Sequence, residues 1–444
     1  MTMGRRKPCQ ESLFVCTAEL SSGLGHPFYR QLNKLLDEIG FDRWIESKCQ
    51  QYYKQDDPRD RRSLPPGIYF RMLLIGYYEG IGSQRGIAWR CADSLSLRQF
   101  LGIPLTEPTP DHSTLTYTRK RLPTEVFDEV FEFVLSVAAE RKLLSGTTVA
   151  VDSTTLEADA AMKSIIRRDT GEDWKAYVIR LMRAEGVIDA ETTPSDEEVR
   201  RFDKSRPDKK VSNEEWVSTT DSEAKVTKMK DGTTHLAYKA EHVVDLDSDL
   251  VLAAEIYPAN ESDMSTGADS VMAAQAHLDA AADGIEIEEV VADKGYHSAE
   301  SLDSFEKLDV KPYVPEPKRK GNKKPKRSGK ATAQRPSVIG NRRRMCHTKG
   351  KGLQRLRSER CERTFAHLCD TGGMRRSYLR GVIDVAKRYM AAAAAHNLGR
   401  IMRKLFGVGK PKVLQAEGEA ESLAQLLWAL LGGNRVFAAQ LGPA

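Results

Sequence analysis

Three acids in this chain sit in contexts suited to holding divalent cations against a phosphate. Val149, Ala150 and Val151 form an apolar run that reads as a buried strand, and Asp152 follows where that strand should emerge from the core. The pattern recurs where Val290, Val291 and Ala292 run into Asp293, with Lys294 and Gly295 making a turn and Ser298 opening a helix. Two such strands, if neighbours, would bring both carboxylates to one sheet edge, and a third acid would come from a helix packed across it. Glu362 fits that role. Around it Leu353, Leu356, Phe365 and Leu368 recur at helical spacings and define a docking face. Glu359, one turn earlier, is the alternative third acid. A single Asp after a strand is commonly just a cap or turn residue, so the argument rests on the recurrence.

Like charges gathered together would protonate or destabilise the fold unless cations neutralise them. Carboxylate oxygens suit Mg²⁺, with Mn²⁺ also accommodated. Two such ions about 3.5 to 4 Å apart stabilise both the attacking and the leaving oxygen of a phosphodiester displacement. Other chemistries are less well supported. Ser153 lies beside Asp152 without an identifiable base motif for a serine nucleophile. Cys346, His347, Cys361, His367 and Cys369 gather near Glu362 but form no CxxC pair, which favours ordinary cysteines over zinc.

The elements that must position these acids can be read in order. Residues 1–25 are expected to be a flexible arm, and Phe28 to Cys49 an amphipathic helix carrying Leu32, Leu35, Leu36, Ile39 and Trp44 on or near one face. A polar linker, 56–66, precedes an apolar helix from Ile68 to Glu79. Gly80 and Gly82 break that helix, and Ser83 can cap the next. This helix, Gly turn, helix unit fits either a DNA-binding motif exposing Gln84, Arg85, Trp89 and Arg90 or a plain helical bundle with surface arginines. Asp111 or Ser113 can cap a helix bearing Arg119, Lys120 and Arg121, with His112 as a capping neighbour. A further helix, Thr124 to Leu144, leads into the Asp152 strand.

Residues 160–215 read as a charged, mostly helical surface insertion in which Asp159, Asp169 and Asp173 are solvated acids. Hairpin patterning follows from Ala224, with a turn at Asp231-Gly232 and with His235, Lys239 and His242 in strands. A strand from Leu250 to Tyr257 comes next, then a helix from about Asp263 to Ala282. Beyond the Asp293 strand come a helix from Ser298 to Leu308 and a short strand from Val310 to Val314. A long helix from Val382 to Phe406 and an apolar helix at 418–432 close the chain.

The VAVDSTTLEA strand at 149–158, the segment Thr234 to Asp263, the VVADKGYHS turn and RCERTFAHLCDTGGMRRSYLRG at 360–381 together resemble the DDE transposases of bacterial insertion sequences. Residues 26–121 also look like the helical domain preceding the catalytic core in one large transposase group. Asp152, Asp293 and Glu362 fall on the family's three catalytic and metal-binding positions, while Ser358 and Cys369 stand where some relatives carry Arg and Lys. The resemblance implies a mixed α/β fold, with an RNase H-like catalytic core of mixed sheet and flanking helices preceded by an all-α N-terminal domain. In that fold the first and fourth strands are adjacent. The expected division is an arm at 1–25, a helical DNA-binding domain at 26–145, a catalytic domain at 146–408 and a helical tail at 409–444. Insertions fall at about 160–220 and about 316–352 within the catalytic part.

The implied function is Mg²⁺-dependent cleavage and transfer of DNA strands at the element's terminal inverted repeats into target DNA, by a homodimer. The alternatives are a metal-dependent nuclease without strand transfer and a catalytically silent DNA-binding derivative. Candidate DNA contacts are Arg85, Arg90, Arg119, Lys239, Arg342, Arg343, Arg344, Arg376 and Arg380.

Composition agrees with a polyanionic partner. The net charge is only +5 over 444 residues, yet from Lys318 to Arg360 seventeen Lys or Arg stand against one acid, Glu359. No apolar stretch reaches the roughly eighteen residues of a membrane span. Seven scattered cysteines and an N-terminus without signal-peptide character point to a cytoplasmic, nucleoid-associated protein.

Overall fold

One long strand organises the protein. In this computed structural model, which describes residues 25–53, 63–207, 212–229, 232–317 and 335–411, β1 spans Thr148–Glu157. Its Val149, Ala150 and Val151 are fully buried, each Val stabilising the fold by roughly 1.5 to 3 kcal/mol. Asp152 does not end the strand as expected: β1 continues five residues past it because β5 (Thr234–Asp245) pairs with it antiparallel from Val149↔Asp245 to Glu157↔Ala237.

On the other side of β1, β7 (Glu289–Ala292) pairs with it in parallel. Two further short strands, β2 (Ile165–Arg167) and β3 (Trp216–Ser218), form a separate ribbon. β4 (Lys225–Lys228) and β6 (Val251–Pro258) both pair with the outer edge of β5, and β8 (Lys311–Tyr313) pairs in parallel with β7. The core order β6-β5-β1-β7-β8 is that of the RNase H-like fold, with its first and fourth strands adjacent.

Among the described residues seven α-helices precede the sheet: α1 (Pro27–Glu38), α2 (Phe41–Cys49), α3 (Pro66–Glu79), α4 (Gln84–Asp93), α5 (Leu95–Leu101), α6 (His112–Arg121) and α7 (Thr124–Glu140). The single helix expected from Phe28 to Cys49 is broken at Gly40, whose φ of 64° serves as the cap of α2. The helix expected to reach Leu144 stops at Glu140. Arg71, only 4% exposed, joins this bundle through Asp42, Asp37, Asn33 and the carbonyl of Phe100.

The charged insertion carries α8 (Trp174–Ala184) and α9 (Asp196–Ser205) around a small cluster of Val178, Met182 and Val199, and it also holds the unanticipated β2-β3 ribbon. In it Asp173 caps α8, and Asp169 pairs with Arg167.

After β6 the chain forms α10 (Asp263–Ala281), α11 (Ala299–Lys307), α12 (Arg335–Cys346), α13 (Thr348–Phe365) and α14 (Val382–Phe406). Part of the expected basic insertion is therefore ordered helix. The small side chains of Ala391 to Ala395 are buried and let α14 pack closely on β6, α3 and α7. One hydrophobic cluster runs from Phe28 to Val408, so the N-terminal helices and the sheet share a core.

Residue Asp231 of the expected turn, the arm up to 24, residues 318–334 and the expected helix at 418–432 lie outside the described residues. Among the described residues no helix is long and apolar enough to cross a membrane.

Candidate active-site groove

The groove arises where β1 loses a neighbour. The last registered β1-β7 pair is Val151↔Ala292, so Asp152 and Asp293 are the next residue on each of two adjacent parallel strands. β7 ends there and β1 does not, which opens the β1 edge into a groove lined by Asp152, Ser153, Lys239, Asp263 and Asp293. Asp293 caps its own turn, accepting the Gly295 N–H at 2.6 Å. A side chain at 295 would collide with this arrangement, since its Cβ would lie 2.8 Å from Asp293 Oδ1 and 3.1 Å from Asp263 Oδ2.

Successive residues of β1 face opposite sides of the sheet, and this sorts the groove chemically. Asp152 is opposite His242 and shares its face. There His242 stacks on Phe365 at 4.1 Å and contacts Thr364 and Tyr389, so that side belongs to α13 and α14. Full burial pushes the His242 imidazole down to about 3 and keeps it neutral. On this face Arg357 of α13 donates to Asp152 Oδ2 at 2.7 Å.

Ser153 is opposite Glu241 and faces α10. Its hydroxyl donates to Asp263 at 2.8 Å, and Lys239 Nζ lies 3.2 Å from the same Asp263 oxygen. Beneath them Glu241 is wholly buried, accepting from Ser270, Thr266 and Tyr296 at 2.6, 2.9 and 2.7 Å, with Lys239 at 3.4 Å. Burial raises the Glu241 carboxyl, and burial together with Glu241, Asp263 and Asp152 raises the Tyr296 phenol. This network ties the start of α10 and the Asp293 turn to β5.

Of the apolar face expected on α13 and just beyond it, Leu353 packs against the core and Phe365 and Leu368 are buried, while Leu356 is 37% exposed. Polar side chains add to this docking. Gln354 donates to the carbonyls of Ala292 and Tyr313 at 2.9 and 2.7 Å, tying α13 to β7 and β8. Beyond it Cys361, Thr364 and Phe365 are buried. Arg360 and Arg363 reach Asp249, a 2% exposed residue at φ 63° between β5 and β6, where Arg400 of α14 also binds. Glu362 is exposed and accepts from Ser358 at 3.0 Å, while Glu359 pairs with Arg363.

The two strand-end aspartates fit a divalent ion in donor chemistry and in sharing one groove. The third position is not assembled with them. Among the described residues no three His, Cys, Asp or Glu are gathered closely enough to hold a metal. Within the groove Asp152 is engaged by the Arg357 guanidinium, while Asp263 is engaged by Ser153 and Lys239. Cys361 and Cys369 are buried and Cys346 is exposed on another helix.

Comparison with known proteins matches residues 144–398, more than half the chain, to the Transposase DDE domain, and residues 17–121 to the Transposase domain (DUF772). The chain belongs to the DDE transposase family. No curated protein sequence matches. Among solved structures, the Mos1 transposase paired-end complex with left transposon end is similar over 74% of this chain and 86% of that one, at 10% identity. Its TM-score of 0.19 is too low to carry an argument.

Within this transposase the candidate DNA contacts divide sharply. Arg85 and Arg343 are exposed. Arg90, Arg342, Arg376 and Arg380 are surface residues near Glu79, Glu316, Glu157 and Asp159, at 3.2, 2.7, 3.5 and 3.1 Å. Three others are engaged within the protein. Arg119 is 6% exposed and set against Asp384 at 3.2 Å, because α6 packs that face inward. Lys239 is 4% exposed, its ammonium held by Asp263 and Thr266 beside Glu241, so it neutralises acids beneath the groove. Arg344 is turned to Glu306 and the carbonyl of Pro312, clamping α12 to α11 and β8.

Asp263, Glu241 and Arg357 were not singled out in the sequence. The usable signal was the pair Lys239 and Glu241, charged residues two apart and hence on one face of an otherwise apolar strand.

Proposed function

We propose that this transposase cuts and joins DNA at the terminal repeats of an insertion sequence, with Asp152 and Asp293 as ligands for Mg²⁺ or Mn²⁺ and Glu362 as the third acid. The observation that carries the reading is the adjacency of Asp152 and Asp293 on parallel strands bordering one open groove. A bound divalent ion supplies Lewis acidity and charge neutralisation at the scissile phosphate. The chain's own residues do the rest. Rigid β1 and β7 hold the two carboxylates, Ser153 and Lys239 fix Asp263 beside them, and Gln354 keeps α13 against the groove.

Residues 26–145 would engage DNA through the exposed face of α4, where Trp89 is 68% exposed beside Arg85 and Arg90. The exposed residues of α12 would add phosphate contacts. Two ends are joined in one event, which calls for two copies of the chain.

A second reading, a DNA-binding protein without catalysis, draws support from the Arg357 guanidinium on Asp152 and the separation of Glu362. The two part in one experiment, using DNA that carries the sequences flanking the coding region, with Mg²⁺ or Mn²⁺, and wild type beside Asp152→Asn and Glu362→Gln. Metal-dependent cleavage and joining by wild type, lost in both variants with DNA binding retained, is the expected result. Binding without cleavage by wild type would favour the silent reading, and cleavage without joining a nuclease.

A further inference from the structure

The cation nearest the proposed metal ligand is part of the chain itself. Arg357 donates to Asp152 Oδ2 at 2.7 Å, with the guanidinium side chain 14% and the carboxylate side chain 23% exposed. Arg357 also donates to Gln354 Oε1 at 3.3 Å, but it does not itself reach β7 or β8. Gln354 fastens α13 to β7 and β8 through two main-chain carbonyls, and Asp249 fastens it to α14 through Arg360, Arg363 and Arg400. The Arg357 side chain can therefore leave Asp152 while α13 stays in place.

Helical geometry adds a second point. Five residues advance about 140° around a helix beyond a full turn, so α13 as set here directs Arg357, and not Glu362, at Asp152. A guanidinium and a divalent ion cannot share one small carboxylate without strong repulsion.

We propose that Arg357 is a placeholder cation and positioning residue: it keeps Asp152 neutralised and oriented in the metal-free protein and must be displaced before a divalent ion can use that carboxylate. The proposal rests on the reading of Asp152 as a metal ligand. Charge explains why such a device is useful. Asp152, Asp263 and Asp293 share the groove, and Lys239 is already committed to Asp263 and Glu241. Without Arg357 the Asp152 carboxylate would face its neighbours with less compensation whenever no metal is bound. The arrangement also sets a threshold, because metal must compete with an intramolecular donor, so that Asp152 is loaded only above a certain concentration of the ion.

The test is Mn²⁺ binding by the full chain without DNA, followed by the paramagnetic resonance signal of free Mn²⁺. Wild type is compared with Arg357→Gln, Arg357→Met, Arg357→Lys, Asp152→Asn and the double variant Arg357→Gln/Asp152→Asn. Thermal melts check that each is folded, and Met retains the aliphatic packing if Gln does not fold. Removing the guanidinium should tighten Mn²⁺ binding on the order of tenfold or more, the worth of a charge-assisted hydrogen bond. Lys should remain near wild type, and the double variant should lose the gain.

Asp152-dependent binding that is no tighter in Arg357→Gln and Arg357→Met would overturn the placeholder role while leaving the metal-ligand reading intact. Binding, or its absence, that is indifferent to Asp152 in every protein would remove that reading and the proposal with it.

Discussion

Asp249→Asn tests whether the helix bearing Glu362 is held by a buried charge knot. Asp249 is 2% exposed and meets three guanidiniums, Arg360, Arg363 and Arg400, of which Arg363 lies at 2.8 Å and Arg400 is 14% exposed. Burial, reinforced by Arg403, Arg363 and Arg360 and opposed by Asp249, pulls the Arg400 guanidinium below its ordinary value. The site is thus already crowded with positive charge. Asn is the least disruptive replacement, because it keeps the side-chain shape and tolerates the φ of 63° that most residues avoid. What it removes is the acid that joins α13, α14 and the β5-β6 turn. Losing one partner of a buried ion pair costs about 3 to 5 kcal/mol. Arg363 is partly exposed and has Glu359 as a second partner, so about 3 kcal/mol is the better expectation. Urea unfolding should show that loss, and hydrogen exchange should show α13 opening more readily than β1. Adding Arg400→Met to Asp249→Asn should recover part of it, since the excess cation goes with its partner. A loss below about 1 kcal/mol, the scale of a solvent-screened surface pair, would refute the reasoning.

Three further outcomes follow from burial and exposure. Glu255 on β6 is raised to about 7 by burial, Asp128 and Glu241, and Asp128 on α7 to about 6 by burial and Glu125. A carboxyl raised in the folded state holds a proton that the unfolded chain releases. Its stabilising share is therefore complete below the ordinary pKa near 4.5 and lost as pH rises through about 7. Glu255→Gln should flatten the decline in unfolding free energy between pH 5 and 8 and add on the order of 2 kcal/mol at the upper end. An unchanged slope would show that the group titrates normally. Arg85→Ala should weaken binding to the element's end DNA and lower the salt slope by about 1, with an unchanged melting temperature. Arg119→Ala should instead lower the melting temperature, and a variant that bound DNA poorly yet melted like wild type would reverse the assignment of that side chain.

How far the sequence revealed all this depended on which physical signal each element carried. β1 and β7 were legible because runs of Val and Ala have few alternatives to a buried strand, and α14 because its Ala run and apolar spacing persist over 25 residues. That β1 runs on past Asp152 was legible only through the resemblance of 149–158 to a family strand, since the apolar run stops at Val151 and the rest is held by pairing with β5. α13 was found as a helix, and Leu353, Phe365 and Leu368 of its expected face do meet the core, while Leu356 does not. The polar part of its docking, through Gln354 and arginines, was not legible, because a search for apolar periodicity counts such residues as outward-facing. The same limit applies to Arg119, Lys239 and Arg344: a charged side chain is assumed to meet solvent until a partner far along the chain appears, and those partners lie at Asp384, Asp263 and Glu306.

The site itself shows the deepest form of this limit. Spacing can place two aspartates at the end of adjacent strands, but which face each side chain takes is decided by register. Register puts Asp152 toward α13 with Arg357, and Ser153 toward α10 with Asp263. Neighbouring residues of β1 thus serve opposite sides of one groove. Bringing Glu362 to Asp152 requires a change in side chains or in the setting of α13, and Arg357 is the contact such a change must break first.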